Sequence, residues 1–231
     1  GGAVLAQSPD SSLVARANGK GDVTLWRADD LVKMPGSTFQ ADPSRSALFA
    51  VALTQVGGRT LMAVGGAAVA QLWDVTAEPR LVHDLWDATG AVKGMSFDAA
   101  GRTLAVGTTS GVIALWELPV GDDVPRRVHT LTLNKPADPE KAQVWAVALS
   151  PSGTSLFVGG RLNAIARWSL AGSPRRLPDL RYEYNNNAVR VQALAVSPEG
   201  DQLAAGLQGR RVLRWQLSGE HAIAQPQIGV E

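Results

Sequence analysis

Cysteine is absent from all 231 residues, which removes disulfides, thiolate nucleophiles and thiolate metal ligands from consideration. Histidine is scarce: His83, His129 and His221 stand far apart in the chain, in or near polar segments. A Ser–His pair needs its imidazole beside the nucleophile, and a metal site needs ligands at short spacing. The nearest approach, His83-Asp84 with Asp87, reads as an ordinary polar strand end. No catalytic residue, metal or cofactor is expected. No apolar run reaches the ~18 residues of a membrane-spanning helix. The start shows no basic stretch leading into an apolar one, so no secretory leader is visible and a cytoplasmic location is expected. A dominant charge sign is also lacking: 22 Lys+Arg stand against 21 Asp+Glu, and such a balance implies no polyanion partner. Lysine is rare beside arginine, five against 17, which with abundant Ala and Gly suggests a bacterial gene of high GC content. The chain opens on Gly1-Gly2 rather than Met, and the expectation is that residues before it were removed.

What the sequence does hold is a repeat. Trp26, Trp73, Trp116, Trp168 and Trp215 recur at intervals of 47, 43, 52 and 47 residues. Each lies 15 residues after the tip of a predicted β-turn, at Ser11, Gly58, Gly101, Gly153 and Gly200. Apolar residues stand twelve before each tryptophan (Val14, Leu61, Leu104, Leu156, Leu203) and three before it (Val23, Ala70, Ile113, Ile165, Val212). Two short apolar runs joined by a Gly- or Asn-bearing turn predict a β-hairpin, and the first of these sets is expected to pack between units. Nearly all-apolar strands precede the turns: Val4–Gln7, Phe49–Thr54, Val92–Phe97, Val144–Leu149 and Val191–Val196. A polar fourth strand follows each tryptophan, at Leu31–Met34, Arg80–Trp86, Arg127–Leu133, Leu177–Tyr184 and His221–Ile228, as an outer edge should. A period in the forties with a fixed inner spacing predicts five four-stranded antiparallel units, at about residues 1–42, 46–87, 89–135, 142–185 and 188–229.

The serine-proline turns SPDS (8–11), SPSG (150–153) and SPEG (197–200), the hairpin and the terminal tryptophan resemble the WD-repeat β-propeller family along the whole chain. The resemblance implies an all-β propeller. Seven such units would need about 325 residues, so the five seen here are expected to be part of a larger propeller or polypeptide. Only Trp73-Asp74 keeps the Trp-Asp dipeptide. The aspartate the family places six residues before the tryptophan is replaced by Lys20, Ala67, Ser110, Leu162 and Gly209, so the Asp–His–Ser/Thr–Trp network is lost. The indole N–H groups then need other partners, and Thr108 and Asn18 are the expected substitutes. Leu25, Leu72 and Leu115 precede their tryptophans, whereas Arg167 and Arg214 precede the last two. Either the arginine stems pack with their heads in solvent, the favoured reading, or they pair with an acid across the unit boundary.

Propellers that cleave glycosides need two carboxylates at the central channel, and none of the five inner strands contains Asp or Glu. What remains is a binding surface. The family's partner-facing positions, carried over by spacing from each tryptophan, are Leu48 and Ala50, Ala91 and Lys93, Gln143 and Trp145, Arg190 and Gln192. Their hairpin counterparts are Gly19, Gly66, Thr109, Arg161 and Gln208. Large and charged residues gather late in the chain. Trp145, Arg161, Arg190, Gln192, Gln143 and Lys93 form the candidate partner-binding set, flanked by Asn134–Lys141 and Asn185–Asn187. The alternative for Trp145, a cover for the core beneath a long loop, stays open. The expected function is a protein-interaction scaffold or sensor, one domain of a larger bacterial signalling or defence protein. Its partner would be a protein, either another chain or another domain of the same polypeptide, with no membrane role. The rivals are a glycan- or small-molecule-processing propeller and nucleic-acid binding through the nine arginines from Arg161 to Arg214, the latter the weaker reading.

Overall fold

The computed structural model describes residues 3–87, 90–118, 120–121, 123–133, 143–161, 163–182, 189–209 and 211–229. Twenty strands form five sheets of four, each hydrogen-bonded antiparallel in chain order. Blade one is β1 Val4–Gln7, β2 Leu13–Ala17, β3 Asp22–Arg27 and β4 Lys33–Gln40. Blade two is β5 Leu48–Val56, β6 Arg59–Gly66, β7 Ala70–Asp74 and β8 Arg80–Asp84. Blade three is β9 Val92–Phe97, β10 Thr103–Thr108, β11 Val112–Glu117 and β12 Arg126–Thr132. Blade four is β13 Val144–Leu149, β14 Ser155–Gly160, β15 Ala164–Ser169 and β16 Arg175–Arg181. Blade five is β17 Val191–Val196, β18 Gln202–Leu207, β19 Arg211–Ser218 and β20 His221–Gly229. The outer strands depart most from expectation: β4 begins at Lys33 and runs on to Gln40, and β16 starts at Arg175.

The turn chemistry explains the repeat. All five turn tips have positive φ, from +59° at Ser11 to +77° at Gly58, a conformation glycine adopts without strain. In the three serine-proline turns, the hydroxyls of Ser8, Ser150 and Ser197 accept the amides of Leu13, Ser155 and Gln202 at 2.9, 3.0 and 3.0 Å. Asp98 does the same work in blade three, accepting Arg102 and Thr103 amides at 2.8 and 3.0 Å. Each cap hands the chain into its second strand in a fixed register.

Blade two reaches the common 15-residue spacing by another route. Its inner hairpin closes tightly, with Val56 opposite Arg59 across Gly57-Gly58. Its next hairpin is shorter, so Met62, not Leu61, pairs with Trp73, and Leu61 pairs with Asp74. A one-residue slip turns every side chain to the other face. Leu61 therefore packs toward blade three, and Met62 takes the place that Leu104, Leu156 and Leu203 hold in their blades.

Four apolar clusters join consecutive blades, one and two, two and three, three and four, four and five. The seams share one device. A side chain on Gly65, Gly107 or Gly159 would place its Cβ 2.3, 2.5 or 2.5 Å from Cγ1 of Val92, Val144 or Val191 in the next blade. These glycines are slots for the valines. Gly206, the fifth in the series, would meet only Ala193 of its own blade, at 3.7 Å. Among the described residues no cluster joins blade five to blade one. Leu5 is 68% exposed where its counterparts Met95 and Val147 are 9% and 6% exposed. Val14 is likewise only half-buried, because the face it shares with Leu5 is uncovered; the expectation that it packs between blades is corrected.

The arginine before the fourth tryptophan also departs from expectation. Arg167 is 6% exposed, so its head is not in solvent, and it meets Glu220 across the boundary through the backbone carbonyl rather than the carboxylate. Its Nε donates to the Pro178 carbonyl at 2.9 Å and its Nη1 to the Glu220 carbonyl of blade five at 3.2 Å. Burial lowers its pKa, opposed by the charges of Asp179 and Glu220. Arg214 holds the same place in blade five, and its Nε is buried with no hydrogen-bond partner.

The expected indole partners are corrected too. Thr108 Oγ1 donates to the Val112 carbonyl at 3.1 Å and contacts Ser110 Oγ at 2.8 Å, while Trp116 Nε1 is buried and unpaired. Asn18 is spent on its own turn, accepting the amides of Lys20 and Asp22 at 2.8 and 3.1 Å. Trp73 does show the kind of substitute sought, donating to Gln71 Oε1 at 3.0 Å. Its neighbour Asp74 caps the following turn, accepting the Thr76 amide and hydroxyl at 3.0 and 2.6 Å and Arg59 Nε at 2.9 Å.

Asp42 staples the crossing from blade one to blade two. Its carboxylate accepts the amides of Ser44 and Ser46 at 2.8 and 3.1 Å and their hydroxyls at 2.7 and 2.5 Å. Burial works to raise its pKa, but the Ser46 and Ser44 hydrogen bonds outweigh it and leave the group below the usual carboxylate value. A depressed carboxylate stabilises the fold above its unfolded pKa of about 3.9 and loses that contribution as pH falls through the folded value. Asp42→Asn is therefore expected to cost about 1–2 kcal/mol at pH 7. The deficit should shrink in urea titrations repeated near pH 3, and a pH-independent deficit would rule this account out.

Candidate binding site at the channel mouth

The five inner strands surround a common axis, and residues from all five line each of two mouths. One mouth, of about 390 Å³, is lined by the far ends of β1, β5, β9, β13 and β17 and includes a single carboxylate, Asp98, already committed to its turn. The other, of about 370 Å³, is built differently. Ala3, Val4, Ala47 and Leu48 give it an apolar wall, and Phe49, Lys93, Trp145 and Gln192 converge on it from blades two to five.

The convergence has a backbone cause. In each of these four blades the pairing of the inner strand skips one residue: Leu48 and Ala50 are paired, as are Val92 and Gly94, Val144 and Ala146, Val191 and Ala193. The skipped residues are Phe49, Lys93, Trp145 and Gln192. A β-bulge leaves one residue unpaired and re-aims its side chain. Here four bulges at one height deliver an aromatic, a cation, an indole and an amide to one opening.

The side chains then stack. Lys93 Nζ lies 3.0 Å from the ring centre of Phe49 and 5.1 Å from that of Trp145. Arg190 Cζ lies 3.7 Å from the Trp145 ring centre. The Trp145 Nε1–H donates to Gln143 Oε1 at 3.2 Å, which fixes the indole plane. Cation–π contacts of this kind are each worth about 0.5–2 kcal/mol, more as water is excluded. Burial lowers the Lys93 pKa and the nearby Arg190 charge lowers it further, so the ammonium is held against an electrostatic cost. The Arg190 Nε is buried with no hydrogen-bond partner.

Of the six residues singled out by sequence, the structure brings Lys93, Gln143, Trp145 and Arg190 into one network and places Gln192 on the same cavity wall. Arg161 is exposed in the hairpin after β14 and lies outside the stack. The flanking segments 134–141 and 185–187 lie outside the described residues. Sequence reasoning missed Phe49. Counting back from Trp73 gave Leu48 and Ala50, one residue to either side, because blade two carries two extra residues in its inner hairpin and one fewer in the next. A large aromatic at the head of an alanine-rich inner strand was the available signal. His83, Asp84 and Asp87 do not converge: His83 lies edge-on to Trp116 at 5.7 Å, Asp84 accepts the Trp86 amide, and Asp87 pairs with Arg127.

Neither a protein-family profile nor a curated protein sequence matches the chain. Among solved structures it is similar to a WD40 propeller chain of the "Crystal Structure of Mitotic Checkpoint Complex", with a TM-score of 0.74 and 20% identity. The likeness covers 98% of this chain and 66% of that one. At such identity it speaks for the fold: this chain forms a WD40-like β-propeller of five four-stranded blades and spans 66% of that neighbour's length.

Proposed function

We propose that this propeller is a non-catalytic protein-interaction scaffold that engages its partner at the Phe49–Lys93–Trp145–Arg190 mouth. It would serve as a cytoplasmic domain of a larger bacterial signalling or defence protein. The carrying observation is the stack itself: Phe49, Lys93 and Trp145 at the bulged positions of three successive blades, with Arg190 laid on the Trp145 face. Indole and guanidinium groups concentrate binding energy at interface centres. The matching place in blade one is Ala3, so the anchors lie on blades two to five. A processing enzyme is disfavoured because among the described residues no pair of carboxylates lines either mouth. Nucleic-acid binding through the late arginines is disfavoured because Arg167 is buried on carbonyls, and Arg175 and Arg176 pair with Glu220 and Asp179.

Capture of partners from the native lysate tests this with the wild-type polypeptide and Trp145→Ala. The variant should weaken capture by about 30-fold, the equivalent of about 2 kcal/mol, with its melting temperature almost unchanged. A fall of many degrees would make Trp145 a core residue and end the reading.

A further inference from the structure

Seven arginines elsewhere in the blades are neutralised locally. Arg27, Arg59, Arg80, Arg126, Arg127, Arg175 and Arg176 each have a carboxylate within ion-pair distance. Lys93 and Arg190 do not. Both are half-buried, they share one indole, and the only described groups against them are ring faces and each other's charge. A ring quadrupole offsets part of the lost hydration of a cation but cannot accept its hydrogen bonds. A guanidinium stacked on an indole keeps its in-plane N–H edge free, and the Arg190 Nε shows that edge unsatisfied and buried. Two like charges held together without a counter-ion form a site that an anion would relieve.

The lining narrows the choice of anion. Lys93 and Trp145 line the cavity of about 370 Å³ with Ala3, Val4, Leu48 and Phe49, Arg190 stacks on the Trp145 ring, and among the described residues Gln192 is the cavity's one further polar side chain. A phosphate dianion calls for several convergent donors, whereas this wall would leave most of its oxygens against hydrocarbon. A monoanionic carboxylate on an aliphatic stem suits both halves of the site.

Building on the scaffold reading above, we propose that the mouth recognises an acidic peptide. An Asp or Glu carboxylate lies against Lys93 and Arg190, and an adjacent aliphatic side chain rests on Leu48 and Phe49. Trp145 is the platform that holds both cations and the peptide backbone above them.

The test is a selection of random dodecapeptides displayed on phage against the 231-residue chain, counter-selected on the Lys93→Met/Arg190→Met double variant. Selected peptides are expected to carry Asp or Glu next to Leu, Ile or Val. Made synthetically, they should lose at least tenfold in affinity when that acid becomes Asn or Gln, and by a similar factor on the double variant. Free and amidated C-termini distinguish a side-chain carboxylate from a terminal one. Lys93→Met should hold or raise the melting temperature, since it removes a cation held at a cost, which a merely structural role would not allow. Peptides without an acid, binding that survives in the double variant, or no binder above that variant would overturn the proposal. Displacement by millimolar inorganic phosphate, or by an oligonucleotide, as effective as displacement by free peptide would overturn it as well. Should Trp145→Ala abolish partner capture while Lys93→Met and Arg190→Met leave it intact, the scaffold reading stands and the acid inference alone falls.

Discussion

Gly159→Val is expected to lower stability by about 3 kcal/mol and the melting temperature by roughly 6–12 °C. The Cβ would lie 2.5 and 2.7 Å from Cγ1 and Cβ of Val191, a fully buried residue whose short, branched side chain has no slack to give. The seam between blades four and five must open, exposing part of the cluster that holds Ile165, Leu203 and Trp215. Gly206→Ala is the internal control. Its Cβ would make ordinary contact with Ala193 at 3.7 Å, and losing a glycine's freedom in the unfolded chain should stabilise by about 0.5 kcal/mol. Thermal melts of the two variants of the 231-residue chain decide the matter. Equal losses would mean that the slots are not what sets the distance between blades.

The second large effect concerns two positions that the sequence treats as equivalent. Leu156 and Val14 both stand twelve residues before a tryptophan and both pair with it across the hairpin. Leu156 is fully buried in the seam with blade three, among Leu115, Val147 and Trp168. Leu156→Ala should cost about 3–4 kcal/mol, because rigid sheets on both sides cannot collapse into the cavity. Val14 lies on the uncovered face of blade one, and Val14→Ala should cost about 1 kcal/mol, since much of its surface already meets water. Urea midpoints of the pair would show the asymmetry. Matching losses would place a covering element over blade one.

Blade number, the four-strand plan and all five inner strands were legible in the sequence. Those features rest on local rules: alternating burial, a serine or aspartate cap, and glycine or its substitute at a positive-φ tip. The candidate site was legible in outline, since Lys93, Gln143, Trp145, Arg190 and Gln192 were reached by counting from the tryptophans. Counting failed where length changes partly cancelled. Blade two adds two residues in its inner hairpin, one on each side of the tip, and drops one in the next, so its tip-to-tryptophan spacing looks regular while Phe49, Leu61 and Met62 are each displaced by one. Hydrogen-bond partners were not legible either. Whether Thr108 or Asn18 turns to an indole or to its own turn is settled by distances of a few ångströms that no spacing encodes. The Arg167 head sought backbone carbonyls rather than water or an acid, because the adjoining blade supplies Glu220 O at that height.

The valine-in-glycine seams give the arc a polarity. Each joins unlike surfaces, a slotted face and a pegged edge, so the contact is head-to-tail and cannot be satisfied by a two-fold pair. Contacts of that class either close on themselves or run on without limit, and an exposed slot beside Gly206 is where a run-on polymer of copies would grow. The slot beside Gly206 is thus the surface onto which any further segment carrying its own peg would add.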